Sequence, residues 1–93
     1  MKKLSIVVAT YNRAPYLLRT LESLARQTLS PGLFEILVVN NNSSDNTPEV
    51  VAGFAGSHPQ LQVRMVTETS QGISYARNCG IASSVGQYIV FID

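Results

Sequence analysis

The sequence predicts an α/β fold of three layers, built on a four-stranded parallel sheet in the strand order 3-2-1-4. Three observations carry that expectation. Leu4 to Ala9, Phe34 to Val39 and Tyr88 to Ile92 are near-continuous apolar runs rich in β-branched residues, the composition of strands buried on both faces. Leu61 to Thr67 instead alternates Leu61, Val63 and Met65 with Gln62 and Arg64, which suits a sheet edge. Helical patterns separate the four runs, and strands alternating with helices build βαβ units with right-handed crossovers, a Rossmann-like arrangement.

Taken in order, the continuous first strand belongs at the centre of the sheet. The first helix covers Pro15 to Gln27, with Leu17, Leu21 and Leu24 at i, i+4 and i+7 and with Leu18 and Ala25 widening the stripe. Asn12 is its expected cap, and Pro15 fits its first turn. The second helix starts at Thr47-Pro48-Glu49: a capping hydroxyl, a proline and an acid near the positive helix end. Val50, Val51 and Phe54 face the core, and the helix stops within Gly53 to Gly56. The third helix runs from Ile73 to Ser84, between Gly72 and Gly86; Ala76 and Gly80, four apart, let it lie close on the sheet.

The 93 residues bound the chain to one small domain. Seven basic and six acidic residues leave a net charge of +1, which lacks the clustered basic face of a nucleic-acid reader. One cysteine, Cys79, excludes an internal disulfide and is read as a small buried hydrophobe. His58, beside Pro59, is expected to be exposed and idle. Lys2 and Lys3 before Leu4 to Ala9 imitate a signal peptide, but the apolar run is too short. No apolar stretch approaches the roughly 18–20 residues that span a bilayer. The expected location is the cytoplasm.

In open α/β sheets ligands bind beyond the carboxyl ends of the strands, and the polar residues of this chain gather there. They are Thr10-Tyr11-Asn12-Arg13, then Asn40 through Thr47, then Thr67 through Gly72, then Asp93. Two nucleotide motifs are absent: neither G-x-G-x-x-G after the first strand nor a Gly-Lys-Ser/Thr Walker loop occurs. A diphosphate bound here must therefore be met by arginines or a metal ion. Asn40 either pairs with a ligand edge or, with Asn41 and Asn42, only shapes a turn. Tyr11 either stacks on a base or packs on the first helix. Asp45 with Thr47 reads as cap and turn chemistry. Ser74, Arg77 and Asn78 share a helix face, where Arg77 either meets a phosphate, orients Asp45 or lies on the surface.

Four segments together resemble the family 2 glycosyltransferases, which have the GT-A fold. They are Ser5-Ile6-Val7-Val8-Ala9-Thr10-Tyr11-Asn12-Arg13, Glu35 through Thr47 (similar to V-V-D-D/N-x-S-x-D-x-T), Gly72-Ile73-Ser74-Tyr75-Ala76-Arg77-Asn78-Cys79-Gly80 and Gly86 through Asp93. They span the whole chain in register. The resemblance implies a UDP-, GDP- or dTDP-sugar donor and transfer with inversion to an acceptor hydroxyl. By position it assigns nucleotide binding to Thr10, Tyr11, Asn12, Arg13, Asn40, Asn42, Arg77 and Asp93. Asn40 stands where the family usually has an aspartate. Asp93 would be the first acid of the D-x-D motif, which holds Mg or Mn, and thus the metal-linked residue of this chain.

The resemblance makes residues 1–93 the N-terminal nucleotide-sugar-binding part of an incomplete GT-A domain, cut at the start of D-x-D. No catalytic residue falls within it, since the second acid and the general base of the family lie downstream, so the isolated chain is expected to be inactive. The alternative is a non-catalytic nucleotide-binding or assembly module. In a full-length form the protein is expected at the cytoplasmic face of the membrane. Tyr88 to Ile92, apolar throughout and predicted at an edge, is the expected surface of self-association.

Overall fold

The computed structural model describes residues 2–27 and 30–92. Strands β1 (Leu4–Thr10), β2 (Phe34–Asn40), β3 (Gln62–Thr67) and β4 (Tyr88–Ile92) alternate with helices α1 (Ala14–Ala25), α2 (Thr47–Ser57) and α3 (Ile73–Ser83). The sheet is all parallel and its order is β3-β2-β1-β4, as the apolar patterning predicts. β1 pairs Leu4 with Phe34 on one side and with Tyr88 on the other. Both inner strands are sealed, whereas β3 is half-buried and β4 is open along much of its length. Among the described residues, no helix is long and apolar enough to cross a membrane.

The sheet pleat divides the core into two clusters. Ile6, Val8, Ile36 and Val38 meet Leu17, Leu21 and Leu24 of α1 and Val51 and Phe54 of α2 on one face. Val7, Leu37 and Val39 meet Ala76 of α3 on the other. At Gly80 a β-carbon would stand 2.7 Å from a Val7 methyl, so this glycine sets how closely α3 lies on the sheet. Cys79 is only half-buried, packed at the margin of the second cluster.

Four local expectations are corrected. Asn12 does not cap α1. Its backbone is left-handed at φ 50°, its carbonyl oxygen is turned toward the β2–α2 loop, and the Ala14 amide donates instead to Asp45 Oδ2 at 3.1 Å. Thr47 is the first residue of α2 rather than its cap; its hydroxyl and amide both donate to Asp45 Oδ1. α2 also runs through Gly53 and Gly56 to Ser57. His58 stops it, half-buried, with Nδ1 3.0 Å from the Phe54 carbonyl and its ring stacked on Phe54 at 4.3 Å. That aromatic contact makes His58 structural, neither exposed nor idle.

One charged group lies where an apolar strand was expected. Glu35 is fully buried on the α3 face of β2. Its Oε2 accepts from Ser5 Oγ at 2.6 Å and the Val85 amide at 3.0 Å, and its Oε1 accepts from Arg64 Nε at 2.9 Å. The Gly86 amide donates to Ser5 Oγ at 2.8 Å, so this cluster pins the entry of β4 to the amino end of the sheet.

Candidate nucleotide-binding site

α1 and α2 cover one face of the sheet and α3 the other. The chain therefore leaves β1 toward one face and reaches β4 from the opposite face. The crevice beyond the carboxyl ends of β1 and β4 is the topological switch point, where open α/β sheets bind ligands. An open cleft of about 340 Å³ lies at the carboxyl end of β1. Val8, Ala9 and Thr10 form its floor. Tyr11, Arg13, Tyr16, Leu17 and Thr20 form the α1 side, and Asn41, Gln71, Gly72, Ile73 and Ala76 form the α3 side.

Three of the residues expected to bind a nucleotide line this cleft: Thr10, Tyr11 and Arg13. Tyr11 is 43% exposed, so its ring is not buried against α1. Arg13 is the charged side chain of the lining, which contains no carboxylate among the described residues. The site is thus mostly apolar, with two tyrosine rings and one guanidinium, a lining suited to a flat ring system joined to an anion. Arg19 lies 5.8 Å over the Tyr16 ring, a cation–π contact on this rim.

The other expected residues stand outside the lining. Asn40 is 4% exposed and its Oδ1 accepts from the Ser43 amide at 3.0 Å. Asn42 is left-handed at φ 65° and exposed. Both shape the β2–α2 turn. Asn12 is the knot between two loops: its Oδ1 accepts from the Ser44 amide at 2.7 Å and the Asp45 amide at 3.2 Å, while its own amide donates to Ser43 Oγ at 3.0 Å. Arg77 is exposed on α3. Asp93 lies outside the described residues.

Hydrogen bonding at Asp45 from Thr47, and from the Ala14 amide, outweighs desolvation and holds its carboxyl below the usual aspartate range. The carboxylate is accordingly charged and serves as a shared acceptor for two helix starts, as cap chemistry requires. Among the described residues, no three His, Cys, Asp or Glu side chains cluster closely enough to hold a metal ion. The described residues therefore do not supply a divalent-cation site.

Asn41 and Gln71 line the cleft from two of the polar loops expected to face a ligand, though neither has an individual role assigned from the sequence; Tyr16 lines it without having been expected there. Asn41 follows β2 directly, and its carboxamide turns to the β3–α3 loop, 27 to 31 residues away. A reading of local turn chemistry has no access to such a partner. Tyr16 carried a weak signal, as an aromatic next to the apolar stripe of α1.

Comparison with known proteins agrees with this geometry. The profile of Glycosyl transferase family 2 matches residues 5–93. The chain is 35% identical over 91 residues to the uncharacterized glycosyltransferase YibD of Escherichia coli, covering 98% of this chain and 25% of YibD. It is 32% identical to poly(ribitol-phosphate) beta-N-acetylglucosaminyltransferase TarS of Staphylococcus aureus, covering 100% of this chain and 16% of TarS. Among solved structures it superposes on the mannosyltransferase PcManGT of Pyrobaculum calidifontis, in complex with GDP-Man and Mn2+, with a TM-score of 0.88 and 31% identity. That match covers 94% of this chain and 26% of PcManGT. The TarS 1-349 complex with UDP-GlcNAc gives 0.83 and 28% identity, covering 98% and 26%. The chain thus spans about a quarter or less of the length of the relatives named here. With a parallel 3-2-1-4 sheet, a cleft at its switch point and a profile match over nearly all of its residues, the chain belongs to glycosyl transferase family 2 and shows the corresponding part of the GT-A fold.

Proposed function

We propose that residues 1–93 are the N-terminal, nucleotide-sugar-binding part of an inverting glycosyltransferase, reaching to the start of its D-x-D motif. The observation that supports this reading best is the cleft at the switch point. It offers Tyr11 and Tyr16 as flat surfaces, Arg13 as the cation and, among the described residues, no carboxylate to repel a diphosphate. The donor is a UDP-, GDP- or dTDP-sugar. In the longer enzyme an acceptor hydroxyl attacks the anomeric carbon as the bond to the diphosphate oxygen breaks on the opposite face, inverting the centre and releasing the nucleoside diphosphate.

Within this chain the roles are recognition roles. Tyr11 stacks on the base, Thr10 and Asn12 shape the loop beneath it, and Arg13 meets the diphosphate. Asn40 at the end of β2 and Asn42 in the turn after it border the base, Arg77 approaches from α3, and Asp93 is the first acid toward a Mg or Mn ion. Nothing among the described residues stands ready to take the acceptor proton in the cleft, so we expect the isolated chain to bind without transferring. With Cys79 as its single thiol, the chain suits a reducing cytoplasm, and a full-length form would act at the cytoplasmic face of the membrane. Self-association through Tyr88 to Ile92 completes the reading.

Calorimetric titration of the chain with UDP, GDP and dTDP, with Mn2+ or Mg2+ present, tests it. One nucleotide should bind, and Tyr11→Ala should weaken it by roughly tenfold, a lost base stack. Failure of all three to bind at millimolar concentration overturns the reading. Sugar transfer by the pure chain overturns its inactivity.

A further inference from the structure

We propose that Asn41 is the positioning residue of the cleft: its carboxamide holds the loop from Glu68 to Gly72 and thereby places the wall against which the nucleotide rests. The proposal rests on the reading that this cleft binds a nucleotide.

Asn41 is 6% exposed. Its Nδ2 donates to the Glu68 carbonyl at 3.2 Å and to the Ser70 carbonyl at 2.9 Å, and its Oδ1 accepts from the Gly72 amide at 2.9 Å. Its main-chain amide donates to the Thr10 carbonyl at 2.9 Å. One side chain thus spends both amide protons and its carbonyl oxygen on a single loop, while its backbone is tied to the end of β1. Asn41, Gln71, Gly72 and Ile73 all line the cleft, so the bonds that fix the loop also fix the distance between the two walls.

The bonding in this chain uses an amide. An aspartate has the same shape and still accepts from Gly72, but it sets a carboxylate oxygen against the carbonyls of Glu68 and Ser70 and donates to neither. Gly72 depends on the same clamp. It sits at φ 142°, where a side chain is strained, and an added β-carbon would stand 3.3 Å from the Tyr75 ring.

The test compares the wild-type chain with Asn41→Asp and Gly72→Ala, the second variant disturbing the loop from its other end with Asn41 intact. Affinity for UDP, GDP and dTDP is measured by calorimetry at a temperature where circular dichroism shows each chain folded. Amide NMR signals are followed in parallel. Each variant should bind the wild type's nucleotide roughly tenfold more weakly, the effect of one or two lost hydrogen bonds. Signals of Glu68 to Ile73 should shift while those of Ile36 and Val38 in β2 stay in place. A merely structural asparagine would lower the melting temperature and leave the affinity of the folded chain unchanged. Wild-type affinity in a folded Asn41→Asp chain, or in Gly72→Ala should Asn41→Asp not fold, overturns the proposal alone. A wild-type chain that binds none of the three overturns the reading of the cleft, and this proposal with it.

Discussion

Glu35 and Arg64, 29 residues apart, form an ion pair of 2.9 Å in which the carboxylate is fully buried and the arginine remains 35% exposed. Burial raises the pKa of Glu35, but the hydrogen bonds from Arg64, Ser5 and the Val85 amide, together with the arginine charge, outweigh it. The net value falls below the ordinary 4.5. The charged form is thus favoured by folding, and the pair joins β2 to β3 while Val85 ties in the start of β4.

A carboxylate with a depressed folded pKa contributes stability above its unfolded value and loses it as pH falls through the folded one. The melting temperature should therefore be insensitive to Glu35 titration between about pH 5 and 8 and should fall in more acid solution. Glu35→Gln should lower it at neutral pH and flatten part of the acid slope. Glu35→Ala strips the acceptor from Ser5, Val85 and Arg64 together and should cost about 3 kcal/mol in urea unfolding. A Glu35→Ala chain as stable as wild type at pH 7 would contradict this.

Three glycines should respond in opposite directions. Gly80→Ala drives a methyl to 2.7 Å from Val7 Cγ1 and should cost about 1–3 kcal/mol, the usual penalty of overpacking. Gly86→Ala should be worse, because its β-carbon would meet the backbone of Leu4 and Ser5 at 2.6 Å, which cannot rotate away as a valine methyl can. Gly53 lies inside α2 with nothing within 4 Å of an added β-carbon. Gly53→Ala should therefore stabilise the chain by about 0.5–1 kcal/mol through helix propensity alone. Thermal melts of the three variants beside wild type check the ordering.

Asn12 should matter through the β2–α2 loop. Asn12→Ala removes the acceptor of the Ser44 and Asp45 amides and releases the loop that brings Asp45 to Ala14. A loss of about 1 kcal/mol is expected, with faster amide exchange at Ala14 and Ser44. Asp45→Ala should also lower the melting temperature, with a difference from wild type that shrinks in acid as the depressed carboxyl of Asp45 takes up a proton.

These residues show where a sequence is legible and where it is not. β1, β2 and β4 announce themselves because a strand covered on both faces needs apolar residues at every position, and β3 because an edge needs fewer. Ala76 and Gly80 announced a close helix for the same local reason. Asn12 has the chemistry and the place of a cap, but the acceptor for Ala14 is Asp45, 31 residues on, beyond the reach of a one-turn pattern. Glu35 lies within the apolar run Phe34 to Val39 with no local sign of its role; its burial depends on Arg64 and on Val85, 50 residues away. At the cleft, the β1 loop was found because it follows its strand directly. The loops of Asn41 and Gln71 are legible in the same way, but the bonds from Asn41 to Glu68, Ser70 and Gly72 are not, because folding alone brings those residues together.

The last prediction concerns β4. It pairs with β1 alone among the described strands, and α1, α2 and α3 pack chiefly on β1, β2 and β3. Tyr88, Val90 and Phe91 are consequently 63%, 44% and 38% exposed. Since successive side chains of a strand alternate, Val90 and Phe91 bare both faces at once, beside an edge of unpaired amides and carbonyls. A long apolar edge without a charge of its own is a template for further strand pairing. Ile89 and Ile92, half-buried against the two clusters, hold the strand in register, so Val90 can be changed with little effect on the fold. A second copy supplies both an apolar face and a complementary edge, and we expect the chain at high micromolar concentration to sediment as a dimer or larger species. Val90→Lys places an ammonium in the middle of that surface and should return the chain to a monomer with its melting temperature nearly unchanged. A wild-type chain that already sediments as a monomer at that concentration would remove the edge from consideration, and a variant that still associates would place the contact elsewhere.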